Sequence, residues 1–140
     1  MDAIDTNINA FYDALTEPAT KDVEGLLTAA LAEGWRSYAS SDDPGKTREA
    51  FIAQVGGFGR AFASLTWSVQ EVIRTDTKVV VRSRVTGVPA GDFMGAPHWG
   101  GSFTIMTIDI HTIEGGELAS AHHVEDWMGA VGQLRAAASA

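Results

Sequence analysis

The chain contains no cysteine, which excludes disulfides, thiolate metal sites and cysteine nucleophiles. Basic residues are scarce: 10 Lys and Arg stand against 18 Asp and Glu, for a formal net charge of −8. Without a cluster of cations to neutralise phosphates, nucleic-acid binding is not expected. No apolar run approaches the roughly 18 residues of a membrane span, and the N-terminus lacks the pattern of a secretory signal. We therefore expect a cytoplasmic protein with no membrane partner.

Histidine, in contrast, is concentrated in one part of the chain. All four histidines lie between residues 98 and 123, as His98, His111, His122 and His123. The ordinary pKa of a histidine, about 6.5, allows it to exchange a proton near neutral pH. This segment is thus predicted to carry the chemistry, and the rest of the chain to form the scaffold.

The length of 140 residues fits a single domain, residues 1–140, whose first half is predicted to be helical. Apolar residues at helical spacing predict helices over Asp5–Leu15 and Asp22–Leu31, the second of them capped by Gly34. A third helix is predicted to begin at Thr47 and to carry Phe58 and Phe62, although three glycines lower its helix propensity.

After Ser64 the apolar residues alternate with a period of two, which indicates strands. The predicted strands start at Leu65 and then cover Lys78–Thr86, Ser102–Ile113 and Leu118–Trp127, with a tight hairpin at Glu114–Glu117. A helix over Met128–Ala137 follows. Helices followed by an antiparallel meander predict an α+β fold, in which a curved sheet wraps the helices around a cone-shaped cavity.

Four segments resemble the SnoaL-like polyketide cyclase family of the nuclear-transport-factor-2-like superfamily. They are Val79–Gly87, Gly91–Pro97, Ile108–His111 and Glu125–Leu134. The resemblance covers nearly the whole chain. It implies the cone-shaped α+β fold, an apolar small molecule as ligand or substrate, no cofactor, and a homodimer formed through the open sheet face.

The resemblance also implies a role for His123. Where the family carries Glu-His-Trp-Asp, this chain has Ser120-Ala-His-His123, so His123 holds the position of the family's proposed acid/base aspartate. His123 would then face the cavity as a general base next to a carbonyl, and strand alternation would turn His122 to the other face. The alternative is a histidine that packs in the cone with one hydrogen bond and no chemistry.

The predicted hairpin also suggests a carboxylate–imidazole pair. A two-residue loop at Gly115-Gly116 would place His111 opposite Ser120 and Asp109 opposite His122. The Asp109 carboxylate would raise the pKa of the imidazole opposite it. The alternative is an ion pair on the solvated face of the sheet or at a dimer interface. A shift of one residue exchanges the two faces, so either face could line the cavity.

Further candidates follow from residue type and position. Arg84 would bind an enolate or carboxylate, the alternative being an arginine exposed on the sheet face. Glu125 and Asp126 are expected to cap the final helix. The glycine-flanked loop with His98 and Trp99 is expected to form a lid over the cavity. No metal site is predicted, because the histidine spacings match no ligand pattern. The predicted ligand contacts are Tyr12, Trp35, Phe58, Phe62, Phe93, Met94, His98, Trp99, Met106 and His122.

The resemblance, together with these residues, implies a cofactor-independent cyclase or isomerase that acts on a hydrophobic, polyketide-like carbonyl compound. Its catalytic candidates are His123, Asp109, His111 and Arg84. The alternative is a non-catalytic binding or sensing module with the same cone-shaped pocket.

Overall fold

The computed structural model describes residues 2–138. Its helices are α1 (Ala3–Leu15), α2 (Val23–Ala30), α3 (Arg48–Ala61) and α4 (Trp127–Ala138), with a short 3-10 turn at Pro18–Thr20. Its strands are β1 (Leu31–Tyr38), β2 (Lys46–Thr47), β3 (Phe62–Arg74), β4 (Lys78–Pro89), β5 (Phe103–Glu114) and β6 (Glu117–Glu125). Within residues 2–138, no helix is both long and apolar enough to cross a membrane.

All six strands belong to one open sheet in the order β2-β1-β6-β5-β4-β3. Strands β3 to β6 form the predicted antiparallel meander, with the β5–β6 hairpin turning at Gly115 and Gly116. Both glycines have positive φ angles, 58° and 75°, which glycine adopts without steric cost. The α+β prediction is confirmed.

Strand β1 was not predicted. The sequence favoured a helix through Leu31 with Gly34 as its cap, but α2 ends at Ala30 and Gly34 lies inside β1. That prediction is wrong because β1 pairs in parallel with β6, a contact with residues some eighty positions later in the chain. Such long-range pairing overrides the local helical pattern.

The core lies between the concave face of the sheet and helices α1 to α3. Each helix begins with a side-chain cap: Asp2, Asp22 and Thr47 accept hydrogen bonds from the backbone N–H three residues later. The glycines predicted to disturb α3 leave it regular, and Gly59 has a packing reason, since a Cβ there would lie 3.0 Å from the backbone nitrogen of Ala19.

Two adjacent leucines in α2 provide a test of this packing. Leu27 is fully buried against the core, whereas Leu26 is only partly buried. We expect Leu27→Ala to lower the free energy of unfolding by about 2–5 kcal/mol and Leu26→Ala by clearly less. Urea denaturation monitored by circular dichroism measures both, and equal losses would contradict the packing described here.

Candidate active site

A cavity of about 510 Å³ opens between the helices and the concave face of the sheet. Most of its wall is apolar and aromatic, formed by Phe11, Leu15, Trp35, Phe51, Phe58, Trp67, Ala121 and Trp127. The polar side chains at its surface are Ser37, Asp43, Lys46, Gln54, Asp109, His123 and Glu125. An apolar cavity of this size with a few convergent polar groups is typical of a small-molecule site.

The pairing of β5 with β6 decides which polar groups reach this cavity. Next to the turn the strands pair as predicted, with Ile113 opposite Leu118. An irregularity between Thr112 and Ile113 then shifts the register by one residue, so Asp109 lies opposite His123 and not opposite His122. Both side chains line the cavity as cross-strand neighbours. The predicted pair of Asp109 with His122 is wrong for this reason.

Behind Asp109, a buried phenol links the carboxylate to His111. The Tyr12 hydroxyl donates to Asp109 Oδ2 at 2.6 Å and lies 2.8 Å from His111 Nε2. A hydroxyl has one proton, so His111 donates from Nε2 to the Tyr12 oxygen, and its Nδ1 carries the lone pair. That Nδ1 is buried without a hydrogen-bond partner among residues 2–138.

Burial moves the proton affinities of this group. It raises the pKa of Asp109 from 3.8 to about 6, against the hydrogen bond from Tyr12, which lowers it. Burial also lowers the pKa of His111 to about 4, so that imidazole is neutral at pH 7. Burial and the Asp109 charge hold the pKa of Tyr12 well above its ordinary value, which keeps the phenol protonated.

His123 has a different environment. Its Nδ1 lies 2.7 Å from Glu125 Oε1 and 2.9 Å from Oε2, and the two residues share one face because they are two apart on β6. The hydrogen bond to Glu125 raises the pKa of His123, although partial burial opposes it. The carboxylate fixes Nδ1 as a proton donor, so Nε2 is the ring nitrogen available to a bound molecule.

The structure brings four predicted site residues to the cavity: Asp109, His123, Trp35 and Phe58. Tyr12 and His111 lie behind the wall, because Phe11 packs 4.9 Å from each of their rings. His111 is fully buried and does not line the cavity, so its placement among residues that touch a substrate is wrong. Phe62 is likewise a core residue, packed on Phe103, and it is the first residue of β3, so its predicted place on the third helix is wrong.

Three predicted residues lie on the outer face of the sheet. Arg84 and Met106 are exposed there, opposite each other on β4 and β5. Since neighbouring residues of a strand alternate between faces, the buried Ser83 and Val85 take the inward positions. His122 is also exposed and stacks on Tyr38 at 4.8 Å. The predictions that place these side chains in the site are wrong.

The loop after β4 does not cover the cavity. Trp99 donates from Nε1 to the Leu134 carbonyl oxygen, and Arg135 donates to the Gly95 carbonyl oxygen, so the loop is bound to α4. None of its residues 90–102 lines the cavity, which makes the lid prediction wrong for His98 and Trp99, and for Met94 as a ligand contact. Phe93 packs on Trp127 and supports the wall from behind.

Sequence reasoning assigned no site role to Lys46, Gln54, Asp43 or Ser37, and it assigned Glu125 to a helix cap. Asp126 alone caps α4, accepting from the Gly129 backbone N–H at 2.9 Å. The spacing of Glu125 two residues after His123 was a usable signal, because alternation puts both on one face. The other four lie on or near the edge formed by β1 and β2, where no periodic pattern marks them.

Within residues 2–138, no three His, Asp or Glu side chains are arranged to hold a metal ion.

The fold is α+β, with one open mixed sheet packed against helices around a cavity. The sequence matches the SnoaL-like polyketide cyclase family over residues 6–134, so the chain belongs to that family. None of the curated proteins compared with it matches significantly.

Solved structures share the fold at low sequence identity. TsrD from Streptomyces laurentii is 23% identical with a TM-score of 0.80, covering 96% of this chain and 97% of that one. IdmH from Streptomyces antibioticus, provisionally described as a polyketide cyclase, is 20% identical with a TM-score of 0.77, covering 94% and 97%. AclR from Streptomyces galilaeus, provisionally described as a hydroxylase, is 17% identical with a TM-score of 0.76, covering 94% of each chain.

The raised pKa of Asp109 predicts a pH-dependent stability. The unfolded chain has the ordinary pKa of 3.8 and the folded chain about 6, so folding favours the neutral carboxyl. This contribution is fully present below pH 3.8 and is lost as the pH rises through about 6. Asparagine resembles the neutral form at every pH and can still accept from Tyr12.

We therefore expect Asp109→Asn to be more stable than the wild type above the Asp109 pKa, by about 3 kcal/mol, since one pKa unit corresponds to about 1.4 kcal/mol. The difference should shrink toward zero as the pH approaches 4. Urea titrations across this range measure it. A stability difference that does not change with pH would contradict a buried, titrating Asp109.

Proposed function

We propose that the chain is an enzyme that cyclises or isomerises a hydrophobic carbonyl compound of polyketide type by general acid/base catalysis, without a cofactor. The observation that carries the proposal is the pairing of Asp109 with His123 across β5 and β6, on the wall of an otherwise aromatic cavity. Family membership supports the substrate class. A proton donor and a proton acceptor side by side are what enolisation and ring closure require.

The charge states favour specific roles. With a pKa of about 6, Asp109 is mainly ionised at pH 7 and is a stronger base than an ordinary carboxylate. Tyr12 occupies Oδ2, and Oδ1 has no hydrogen-bond partner among residues 2–138, so Oδ1 is the atom proposed to accept a proton. His123, whose pKa Glu125 raises, is proposed as the acid through Nε2. The roles thus differ from the sequence prediction, which made His123 the base.

The proposed reaction is an intramolecular ring closure through an enolate. Asp109 removes a proton from the carbon next to a substrate carbonyl, and the electron pair of that C–H bond forms an enolate. The enolate carbon attacks a second carbonyl carbon of the same molecule, closing a ring through a new C–C bond. The alkoxide that results takes the Nε2 proton of His123. Exchange with solvent returns a proton to His123 and removes one from Asp109.

The proton-removal step can be tested without the natural substrate. Deuterium exchange at the carbons next to the carbonyl of 2-tetralone, followed by NMR in D2O, reports enolisation directly. We expect the wild type to exceed the buffer rate, and Asp109→Asn and His123→Gln each to lower the enzymatic rate by about 100-fold or more. His122→Gln is the matched control, because His122 is the next residue but lies on the outer face.

Unchanged exchange in Asp109→Asn would contradict the proposed base. Binding of the ketone without any exchange above the buffer rate would favour the alternative function, a binding module with the same cavity.

Glu125 provides a separate prediction about pH. Since the hydrogen bond to Glu125 is the main cause of the raised pKa of His123, and the Glu125 charge adds to it, Glu125→Gln should lower that pKa. The acid form of His123 would then be lost at lower pH, and the alkaline limb of the exchange rate should move down with it. NMR titration of the His123 ring protons measures the pKa. An unchanged value would contradict the effect assigned to Glu125.

The homodimer stays a prediction. The outer face of the sheet exposes an apolar patch of Met106, Ile108, Ile110 and Val124. Burial of such a patch between two copies is favourable, and sedimentation velocity measures whether it occurs.

A further inference from the structure

The rim of the cavity carries one cation that the proposed chemistry does not use. Lys46 in β2 lines the cavity and is the single Lys or Arg among its described lining residues. Its Nζ donates to Gln54 Oε1 at 2.7 Å, an uncharged partner. Within residues 2–138, Lys46 forms no ion pair, in contrast to Lys21, which pairs with Asp13 at 2.8 Å. Its charge is therefore not compensated by a direct contact.

Asp43, an acid whose pKa the Lys46 charge lowers, already accepts two backbone hydrogen bonds. Asp43 also lines the cavity, but its Oδ2 accepts from the Ala39 backbone N–H at 2.9 Å and its Oδ1 from Gly45 at 2.8 Å. These two bonds are the main reason that the pKa of Asp43 is lowered. The carboxylate thus holds the loop between β1 and β2 in place and does not bond to Lys46.

Gln54 adds a second donor beside the ammonium. A lysine ammonium can only donate, so the side-chain amide of Gln54 turns its oxygen toward Lys46. The Nε2 atom of the same Gln54 amide is then not bonded to Lys46. That Nε2 has no hydrogen-bond partner among residues 2–138, and Gln54 itself lines the cavity. An ammonium and a carboxamide N–H₂ side by side match the two oxygens of a carboxylate.

This pair of donors lies close to the proposed catalytic groups. The charge of Lys46 acts on both His123 and Asp43, lowering the pKa of each, which places the ammonium near both. The aromatic wall continues from the rim through Phe51 and Phe58 of α3. A molecule held at the rim would extend along this wall toward Asp109 and His123.

We propose that the rim residues Lys46 and Gln54 form a carboxylate subsite, so that the substrate of this cavity is an aromatic or polycyclic carbonyl compound that also carries a carboxylate. This inference rests on the proposed function for the carbonyl chemistry, whereas the subsite itself requires only binding.

Two probes of similar shape test the subsite. 2-Naphthoate carries a carboxylate, and 2-acetylnaphthalene has a neutral carbonyl group at the same ring position. Isothermal titration calorimetry near neutral pH should show that Lys46→Met weakens naphthoate binding by about tenfold or more and leaves acetylnaphthalene binding unchanged. Gln54→Ala should weaken naphthoate binding by a smaller factor in the same direction, because it removes a neutral donor.

Lys78→Met is the matched control. Lys78 also has an uncharged partner, donating to Thr112 Oγ1 at 2.8 Å, but it does not line the cavity. The variant changes the net charge by the same amount and should bind both probes as the wild type does. Thermal melts of all three variants establish that they are folded before binding is compared.

The outcomes separate this inference from the proposed function. Naphthoate binding that is insensitive to Lys46→Met, or a loss that is equal for both probes, would overturn the subsite. Binding of acetylnaphthalene without naphthoate would overturn the subsite and leave the proposed function in place. Binding of neither probe would contradict both.

Discussion

The pairing of β5 with β6 is the constraint on which the rest of the site depends. Both strands alternate strictly, so one residue of shift exchanges every side chain between the cavity and the outer face. The irregularity between Thr112 and Ile113 makes this shift two residue pairs after the turn. Beyond it, Asp109 and His123 point to the cavity side and His122 to the outside. A regular hairpin would have placed His122 opposite Asp109 on the cavity side and turned His123 to the outer face.

Asp109 and His123 owe their shifted pKa values to different parts of their surroundings. Asp109 is buried, and the loss of water raises its pKa; Tyr12 limits the rise and keeps the carboxylate oriented. His123 is only partly buried, and the carboxylate of Glu125 more than offsets the effect of that burial. The neutral His111 completes the arrangement, since it donates to the phenol without adding a charge to the interior. Asp109 as a base and His123 as an acid can therefore stand side by side on adjacent strands at neutral pH.

Local pattern was sufficient to predict α1, α3, α4 and the meander, because each buries one face at a regular period. It failed for β1, whose strand state comes from parallel pairing with β6, a residue contact that no local window contains. The position of His123 in the cavity followed from the family pattern and strand alternation. The partner of Asp109 did not, since one irregular residue near the turn altered the register. Arg84 shows the same limit: alternation correctly grouped it with Arg82, but nothing local indicated that this group faces outward.

Residues at the cavity rim show why position alone does not reveal a role. Lys46 occupies a two-residue strand, and Gln54 an exposed turn of α3, where a lysine and a glutamine would ordinarily be solvated surface residues. Their contact depends on β2 leading directly into α3, which fixes the ammonium against the amide oxygen. The interior of the cavity contains the carboxylates of Asp109 and Glu125 around His123, whereas Lys46 at the rim stands beside an Asp43 carboxylate that is bonded to the loop backbone, so an anionic substrate group is better accommodated beside Lys46. The charge distribution therefore favours one orientation of such a substrate, with its anionic end at the rim and its carbonyl carbon inside.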